Sequence, residues 1–355
     1  MGSQPHTLTQ YVRKTIARRG MAAMISPLVA WEPMTQPRDG YSLLIGCNRN
    51  LGPMLLANLR LLTRQKRTNC KEVILAIDGT EAELNGGSGG DIKRRARELC
   101  GDMPIRFVHY TSKQISVTRM VDWGWIYAWL SWCIGMRECT TRYAMLHDFD
   151  ALLLNPDVLE DRYAQVQQRG VEFLGIAHHT GGGVVEDDRL VRTFELMFDC
   201  EFVRKTFKPI ELFNTMKSIA GRRVEFDTFL NAQHRAGKTS VLPLPEEEMV
   251  HPSQMICQYV DFNAQRGRVP TNNNLLMIPY YEHIGGDSTL MRDITQQLTS
   301  GKKVVSLWGK PLDVAAISTA HKQWMRKQMM RMEATLHGQM AGEVAAYMDA
   351  IDRAS

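Results

Sequence analysis

The sequence lacks any hydrophobic run long enough to cross a membrane. Its longest run, from Trp123 to Met136, covers about 14 residues, whereas a transmembrane helix needs about 20. The polar N-terminus also lacks the apolar core and small-residue cleavage site of a secretory signal peptide. The tryptophans in the longest run therefore predict a buried helix rather than a membrane span.

Paired cysteine motifs are absent as well. The seven cysteines are scattered, and no two have C-x-x-C spacing. A zinc site or a disulfide framework is therefore not indicated, and we expect a reducing, cytoplasmic setting. The net charge of +5 suits an anionic ligand such as a nucleotide, but it is too small to indicate nucleic-acid binding.

A phosphate-binding glycine loop is also missing. The glycine-rich stretch from Asn85 to Gly90 does not match G-x-x-x-x-G-K-[ST], and it does not directly follow a strand as G-x-G-x-x-G would. Asp91, at the start of the next predicted helix, would repel phosphate. We interpret this stretch as a flexible connection.

From residue 41 onward, short apolar runs alternate with segments of helical spacing. This alternation predicts an α/β fold with a mostly parallel mixed sheet flanked by helices. Strands are predicted at 42–47, 72–77, 105–108, 143–146, 171–177 and 239–244, and helices at 51–65, 91–100 and 123–136, with helical composition over 186–220.

Residues 1–40 look like an N-terminal helical extension of the main domain, which we expect to cover 41–315. Thr7 and Gln10 have capping-box spacing, and Gly20 is expected to end the helix. One side of this helix is apolar and the rest is basic. It is interpreted either as a helix packed on the main domain or as a peripheral contact with an anionic membrane surface.

Residues 316–355 are predicted to form one long amphipathic C-terminal helix. Its apolar side chains recur every three or four residues, which is the spacing of a buried stripe. Methionine dominates this stripe, so it suits packing on the chain's own domain or on a second copy in a homo-oligomer. The stripe consists of Met325, Met329, Met332, Leu336, Met340, Val344, Tyr347 and Ile351.

The most informative motif is Asp148-Phe149-Asp150, which follows an uncharged apolar run. This run predicts a buried strand, and ligands of open α/β sheets bind at the carboxyl ends of strands. Two carboxylates at that position suit Mg²⁺ or Mn²⁺ held together with a substrate phosphate. Two solvated loop acids are the simpler interpretation of Asp-x-Asp alone.

Three features together resemble the glycosyltransferases of the GT-A fold, over about residues 41–290. The first is the β/α start with polar residues after its first two strands. The second is His147-Asp148-Phe149-Asp150, which resembles the family's Asp-x-Asp. The third, Glu225-Phe-Asp227 with His234-Arg-Ala-Gly237, resembles the acidic segment of inverting members. A weaker fourth feature is His283-Ile-Gly-Gly.

The resemblance implies a transferase that uses a nucleotide-sugar donor and Mn²⁺ or Mg²⁺. The metal ligands would be Asp148, Asp150 and His283, because many members place a third ligand late in the chain. The acceptor could be a glycan, a protein, a small molecule or modified nucleic acid. The donor would be held by Asn48, Arg49 and Asp78, with Asp148 and, facing the sugar, Arg119 and Asp122.

The resemblance also implies a general base, either Glu225 or Asp227. Phe226 stands where a second acid would complete the family's pair, so the choice is open, with Asp227 narrowly favoured by its spacing from Gly237. The acidic segment favours inversion of configuration, whereas His283-Ile-Gly-Gly is similar to the ending of retaining families.

Two other functions fit part of the pattern. A haloacid-dehalogenase-like phosphatase also has D-x-D after an apolar strand, but on its first strand and followed by Gly-Thr, whereas Ala151-Leu152 follows here. The second alternative is a non-catalytic module that binds nucleotide sugars on the same fold.

Overall fold

The computed structural model describes residues 6–86, 92–176, 190–219, 221–243 and 247–354. Within these ranges the strands are β1 (Arg38–Cys47), β2 (Cys70–Ile77), β3 (Ile105–His109), β4 (Thr141–His147), β5 (Leu152–Leu153), β6 (Phe173–Ile176), β7 (Glu195–Asp199), β8 (Thr215–Ile219), β9 (Arg222–Phe226), β10 (Thr239–Leu242), β11 (Met249–Val250), β12 (Val304–Leu307) and β13 (Lys310–Asp313). The α-helices are α1 (Leu8–Ile25), α2 (Gly52–Leu62), α3 (Glu81–Gly86), α4 (Ile92–Cys100), α5 (Ser112–Val121), α6 (Gly124–Glu138), α7 (Val158–Arg169), α8 (Cys200–Thr206), α9 (Leu230–Ala236), α10 (Met255–Asn263), α11 (Met277–Ile284), α12 (Thr289–Thr299), α13 (Thr319–His337) and α14 (Gly342–Arg353).

A seven-stranded sheet forms the centre of the fold, in the order β10-β6-β7-β4-β1-β2-β3. All its pairings are parallel except those of β7, which runs antiparallel to β4 and β6. Its inner strands are nearly continuous apolar runs because helices cover both faces. The prediction of an α/β fold with a mostly parallel mixed sheet is confirmed.

Helix α6 shows why the longest apolar run is not a membrane span. It packs against β1 and β2, and Trp129 and Leu130 are fully buried on one face of the sheet. On the opposite face, α2 contributes Leu55 and Leu59 to a second apolar cluster. Among the described residues, no helix combines the length and hydropathy needed to cross a membrane.

The helical interpretation of residues 186–220 is wrong over β7 and β8, while α8 is helical as expected. β7 has only five residues, all buried, and a short apolar run does not reveal its period. Its hydrogen bonds to β4 and β6 make it a strand. Residue 177 of the predicted strand 171–177 lies outside the described residues, as do 87–91 around the glycine-rich stretch.

Helix α1 has the predicted capping box between Thr7 and Gln10, but it continues past Gly20 to Ile25. It lies against β8, so the helix does pack on the main domain. Its packed side is polar in the first half, at Lys14 and Arg18, and apolar in the second, where Ile25 is buried. The apolar side chains at three of its positions point away from the fold: Leu8, Val12 and Ile16 are 60%, 46% and 68% exposed.

The single C-terminal helix predicted over 316–355 is instead two helices, α13 and α14. Gly338 ends α13 with φ 72°, a conformation that favours glycine, and the chain then turns back. Met325, Met329 and Met332 of the predicted stripe are fully buried in the chain's own core. These methionines therefore offer no exposed surface to a second copy.

Candidate metal and donor site

Asp148 and Asp150 lie in a tight turn at the carboxyl end of β4. The backbone N–H of Asp148 donates to the carbonyl of Phe194 at 2.9 Å, and the N–H of Ala151 donates to the carbonyl of Asp148 at 3.0 Å. Asp150 is buried, and Asp148 is partly exposed. The turn thus holds both carboxylates on the same side of the strand end.

Asn58, the polar residue among the buried side chains of α2, holds this turn in place. Its Nδ2 donates to the carbonyl of Ala151 at 2.8 Å and to that of Phe149 at 3.1 Å, and lies 3.2 Å from Nε2 of His147. The hydroxyl of Tyr281 donates to the carbonyl of Asp150 at 3.1 Å. One amide and one hydroxyl therefore fix the backbone around the Asp-x-Asp motif.

His251 joins the two aspartates because β5 and β11 pair antiparallel. Val250 lies opposite Leu152 in this small sheet. His251, which directly follows β11, is therefore brought beside the Asp-x-Asp turn, which directly precedes β5. Phe194 supports the imidazole from the other side, with ring centroids 4.3 Å apart and nearly parallel planes.

The ligand atoms of Asp148, Asp150 and His251 lie within 4.8 Å of one another. Nε2 of His251 is 3.7 Å from an oxygen of each aspartate. Two carboxylates and one imidazole form a donor set that suits a divalent ion such as Mn²⁺. The residues present thus fit the metal that the sequence resemblance implies.

Burial shifts the pKa values of all three residues of the cluster towards their neutral forms. Burial, together with a smaller effect of the negative charge of Asp227, raises the pKa of Asp148 to about 7. The pKa of Asp150 is also raised by burial and by Asp148. Burial, with a smaller effect of Arg192, lowers the pKa of His251 to about 4, so its imidazole is neutral and free to ligate a metal.

Of the two acids considered as the base, only Asp227 lies in the open part of the site. It is partly exposed and close enough to Asp148 to influence that carboxyl. Its Oδ1 accepts a hydrogen bond from the backbone N–H of Thr228 at 2.7 Å. It follows directly after β9.

Glu225 is turned the other way, towards helix α1. One carboxylate oxygen accepts from Lys14 Nζ at 2.5 Å, and the other accepts from Arg18 at 2.6 Å. Burial by itself would raise the pKa of Glu225, but these two hydrogen bonds more than offset it and the pKa is lowered. A carboxylate held by two cations is a weak proton acceptor, which argues against Glu225 as the base.

The loops after β1 and β2 meet through Arg49 and Asp78. The backbone N–H of Arg49 donates to Asp78 Oδ1 at 2.7 Å, and its guanidinium lies 3.5 Å from the same oxygen. Burial raises the pKa of Asp78. Asn48 forms a local turn by accepting from the N–H of Asn50 at 2.9 Å. Asn48, Arg49 and Asp78, which the sequence predicted to bind the nucleotide-sugar donor, thus lie together at the carboxyl edge of the sheet. We call these three residues the donor group.

Arg119 and Asp122 lie at the end of α5. Arg119 forms an ion pair with Glu83, and its charge also reaches Asp78. Asp122 ends the helix in the left-handed region with φ 44°, and its carboxylate lies 3.2 Å from Arg266. Arg119 therefore borders the donor group, whereas Asp122 has its own partner at the surface.

His283 is not brought to the aspartates, which corrects the predicted ligand set. It lies on helix α11, where its Nδ1 is 2.8 Å from the hydroxyl of Ser288 and its ring stacks near Tyr280. The helix directs its side chain towards Ser288 and not towards the Asp-x-Asp turn. His251 occupies the place expected for His283.

Similarity to known proteins was found among solved structures alone. No family model matches the chain, and no curated protein matches it. Among solved structures, S. aureus TarS is 13% identical with a TM-score of 0.37, and the match covers 88% of this chain. The chain spans 55% of the length of that TarS structure.

Two further structures are similar at the same level. One is the mannosyltransferase PcManGT from Pyrobaculum calidifontis, in complex with GDP-Man and Mn²⁺: 12% identity, TM-score 0.38, covering 93% of this chain and 99% of that one. The other is the galactosyltransferase LgtC with donor and acceptor sugar analogues: 11% identity, TM-score 0.40, covering 58% and 74%. At TM-scores below 0.5 these likenesses carry no argument about activity, which must come from the site.

Asn58 provides a test of how the site is held. Asn58→Leu removes the amide that fixes the turn, so we expect the apparent Mn²⁺ affinity to fall about 10- to 100-fold, as when support around metal ligands is lost. Calorimetric titration of the full chain with Mn²⁺ measures this. Asn69→Leu, a partly buried amide that bonds Glu160 instead, is the control. Unchanged affinity in Asn58→Leu at intact folding would contradict the positioning role.

Proposed function

We propose that the chain is a glycosyltransferase that moves a sugar from a nucleotide-sugar donor to an acceptor hydroxyl, with a divalent ion held by Asp148, Asp150 and His251. The observation that carries this proposal is the cluster of these three potential ligands at the carboxyl end of β4. Asp227 on one side and the Arg49–Asp78 group on the other complete a site for two substrates.

The donor's nucleoside diphosphate is a poor leaving group while its charge is unbalanced. A divalent ion at the cluster would supply Lewis-acid stabilisation of that charge. The neutral imidazole of His251 adds a nitrogen ligand, which favours Mn²⁺ over Mg²⁺. Asn58 would hold the two aspartates in position through its hydrogen bonds to the backbone of the turn.

On the donor side, Asn48, Arg49 and Asp78 would bind the base and ribose. The carboxylate of Asp78 is already ordered by the backbone of Arg49, so its oxygens are fixed before a ligand arrives. Arg119 borders this group and would contact the donor sugar. The same role for Asp122 requires it to leave Arg266.

On the acceptor side, Asp227 would act as the general base. The acceptor oxygen bonds to the anomeric carbon while the bond from that carbon to the phosphate oxygen breaks. The electron pair leaves with the nucleoside diphosphate, and the acceptor's proton passes to the carboxylate of Asp227. A base on the opposite face from the leaving group produces inversion of configuration.

Neither alternative function gains an observation in its favour. A phosphatase of the haloacid-dehalogenase type would have its nucleophilic aspartate after the first strand, whereas Asp148 follows β4. A purely binding module would not need a carboxylate such as Asp227 beside the metal cluster. The donor, the acceptor and the division of the chain at residues 41 and 315 stay predictions, as does self-association.

The metal assignment predicts distinct results for two histidines. His251→Ala should weaken Mn²⁺ binding about 10- to 100-fold, because one ligand is lost. Asp148→Ala and Asp150→Ala should abolish Mn²⁺-dependent hydrolysis of nucleotide sugars, and EDTA should do the same to the unmodified protein. His283→Ala is the matched control and should leave Mn²⁺ affinity unchanged. Full turnover in EDTA would refute the proposal.

The two acids after β8 give a second pair of variants. Asp227→Asn should lower the transfer rate by roughly 10²–10⁴-fold with donor affinity unchanged, because the base touches only the acceptor. Glu225→Gln should instead lower the melting temperature, since Lys14 and Arg18 lose their charged partner. Transfer rate, donor affinity and melting temperature separate the roles. Retention of anomeric configuration in the product would rule out inversion.

We also propose that the chain is cytoplasmic and makes a peripheral membrane contact through α1. Leu8, Val12 and Ile16 are spaced by four residues and exposed, and Arg13 and Arg19 lie beside them. This combination suits an anionic lipid surface. The full chain should sediment with phosphatidylglycerol vesicles, and Ile16→Asp should reduce this. Val304→Asp, at another exposed apolar residue, is the control; equal loss in both variants would contradict the contact.

A further inference from the structure

A pocket of about 150 Å³ lies between helix α1 and the segment that leads into β8. Its walls include Arg18 and Arg19 from α1, Asn214 and Lys217 around β8, and Arg235 from α9. The pocket belongs neither to the metal cluster nor to the donor group.

Asn214 connects this pocket to the proposed base. Its Nδ2 lies 3.5 Å from Oδ1 of Asp227, and its side chain is almost fully buried. The side chain of Asn214 therefore borders both the pocket and the carboxylate that would accept the acceptor's proton. This position fits the acceptor and not the donor, whose diphosphate belongs beside Asp148.

Three polar atoms of the pocket's lining residues are buried without a hydrogen-bond partner: Thr15 Oγ1, Arg18 Nε and Asn214 Oδ1. Such atoms are costly to leave unpaired, and buried polar groups nearly always find a partner. The set contains one donor, one acceptor and one hydroxyl that can do either. A ligand with both anionic oxygens and hydroxyl groups would pair all three.

The positive side chains that line the pocket favour anionic ligands. Of the pocket's cations, Arg18 is paired with Glu225, and Arg235 with Glu211 at 2.6 Å. Arg19 and Lys217 are exposed at its rim and have no ion-pair partner among the residues that the structure describes. Two uncompensated cations beside a small polar cavity attract an anionic group.

We propose that this pocket binds an anionic group, phosphate or carboxylate, carried by a hydroxylated acceptor whose reacting hydroxyl lies at Asp227. The inference rests on the proposed transferase function and names its acceptor class. Helix α1 then forms one wall of the acceptor site. Arg18 is held in that wall by Glu225 and by stacking 4.1 Å and 4.2 Å from the rings of Trp123 and Trp125.

The test measures binding of glucose 6-phosphate, glucuronate and glucose to the full chain, without metal or nucleotide, by calorimetry at fixed ionic strength. We expect at least one of the two anions to bind at least about tenfold more tightly than glucose, the scale of a charge-assisted hydrogen bond. The double variant Arg19→Glu/Lys217→Glu should remove this preference. Both residues are exposed, so folding should be retained, which melting temperature checks.

The matched control is Arg13→Glu/Lys302→Glu. It makes the same change in net charge, with one site on α1 and one far from it, and neither residue lines the pocket. Equal binding of glucose and both anions, or equal loss in both double variants, would overturn the inference. Nucleotide-sugar hydrolysis is measured separately. Hydrolysis without anion binding would contradict only the proposed acceptor pocket. Anion binding without hydrolysis would contradict the proposed transferase function.

Discussion

The antiparallel pairing of β5 with β11 is the contact on which the candidate site depends. It involves two residues on each strand, yet it joins the Asp-x-Asp turn to a segment about one hundred residues later. Because Val250 is fixed opposite Leu152, the backbone of His251 is held beside the Asp-x-Asp turn. The buried guanidinium of Arg162 reinforces this join, since it contacts both Glu195 on β7 and Glu248 just before β11.

Burial of two neighbouring carboxylates is costly unless a cation balances them. The raised pKa values of Asp148 and Asp150 express that cost in the protein alone. The structure offsets part of it elsewhere: Asn58 satisfies the turn's carbonyls, and His251 stays neutral against Phe194. These contacts hold the two carboxylates where a bound cation would lower that cost.

Helix α1 changes how the acidic segment after β8 should be interpreted. Residues two apart within a strand share a face, but β9 ends at Phe226, so Asp227 lies beyond the strand and is free to point away from Glu225. Glu225 anchors α1 through Lys14 and Arg18, and Asp227 is left facing the site. The N-terminal extension is thus built into the surroundings of the proposed base.

The sequence alone determined strands β1 to β4 with helices α2, α4 and α6, and the strand end that carries Asp148 and Asp150, because apolar period and strand-end polarity are local properties. Asn58 also left a local signal, as a polar residue on an apolar helix. Only the tertiary structure decided that His251 and not His283 joins the aspartates, and that Glu225 faces α1 while Asp227 faces the site. Those outcomes depend on strand pairing and helix packing between distant segments, and no local pattern encodes the direction in which such side chains point.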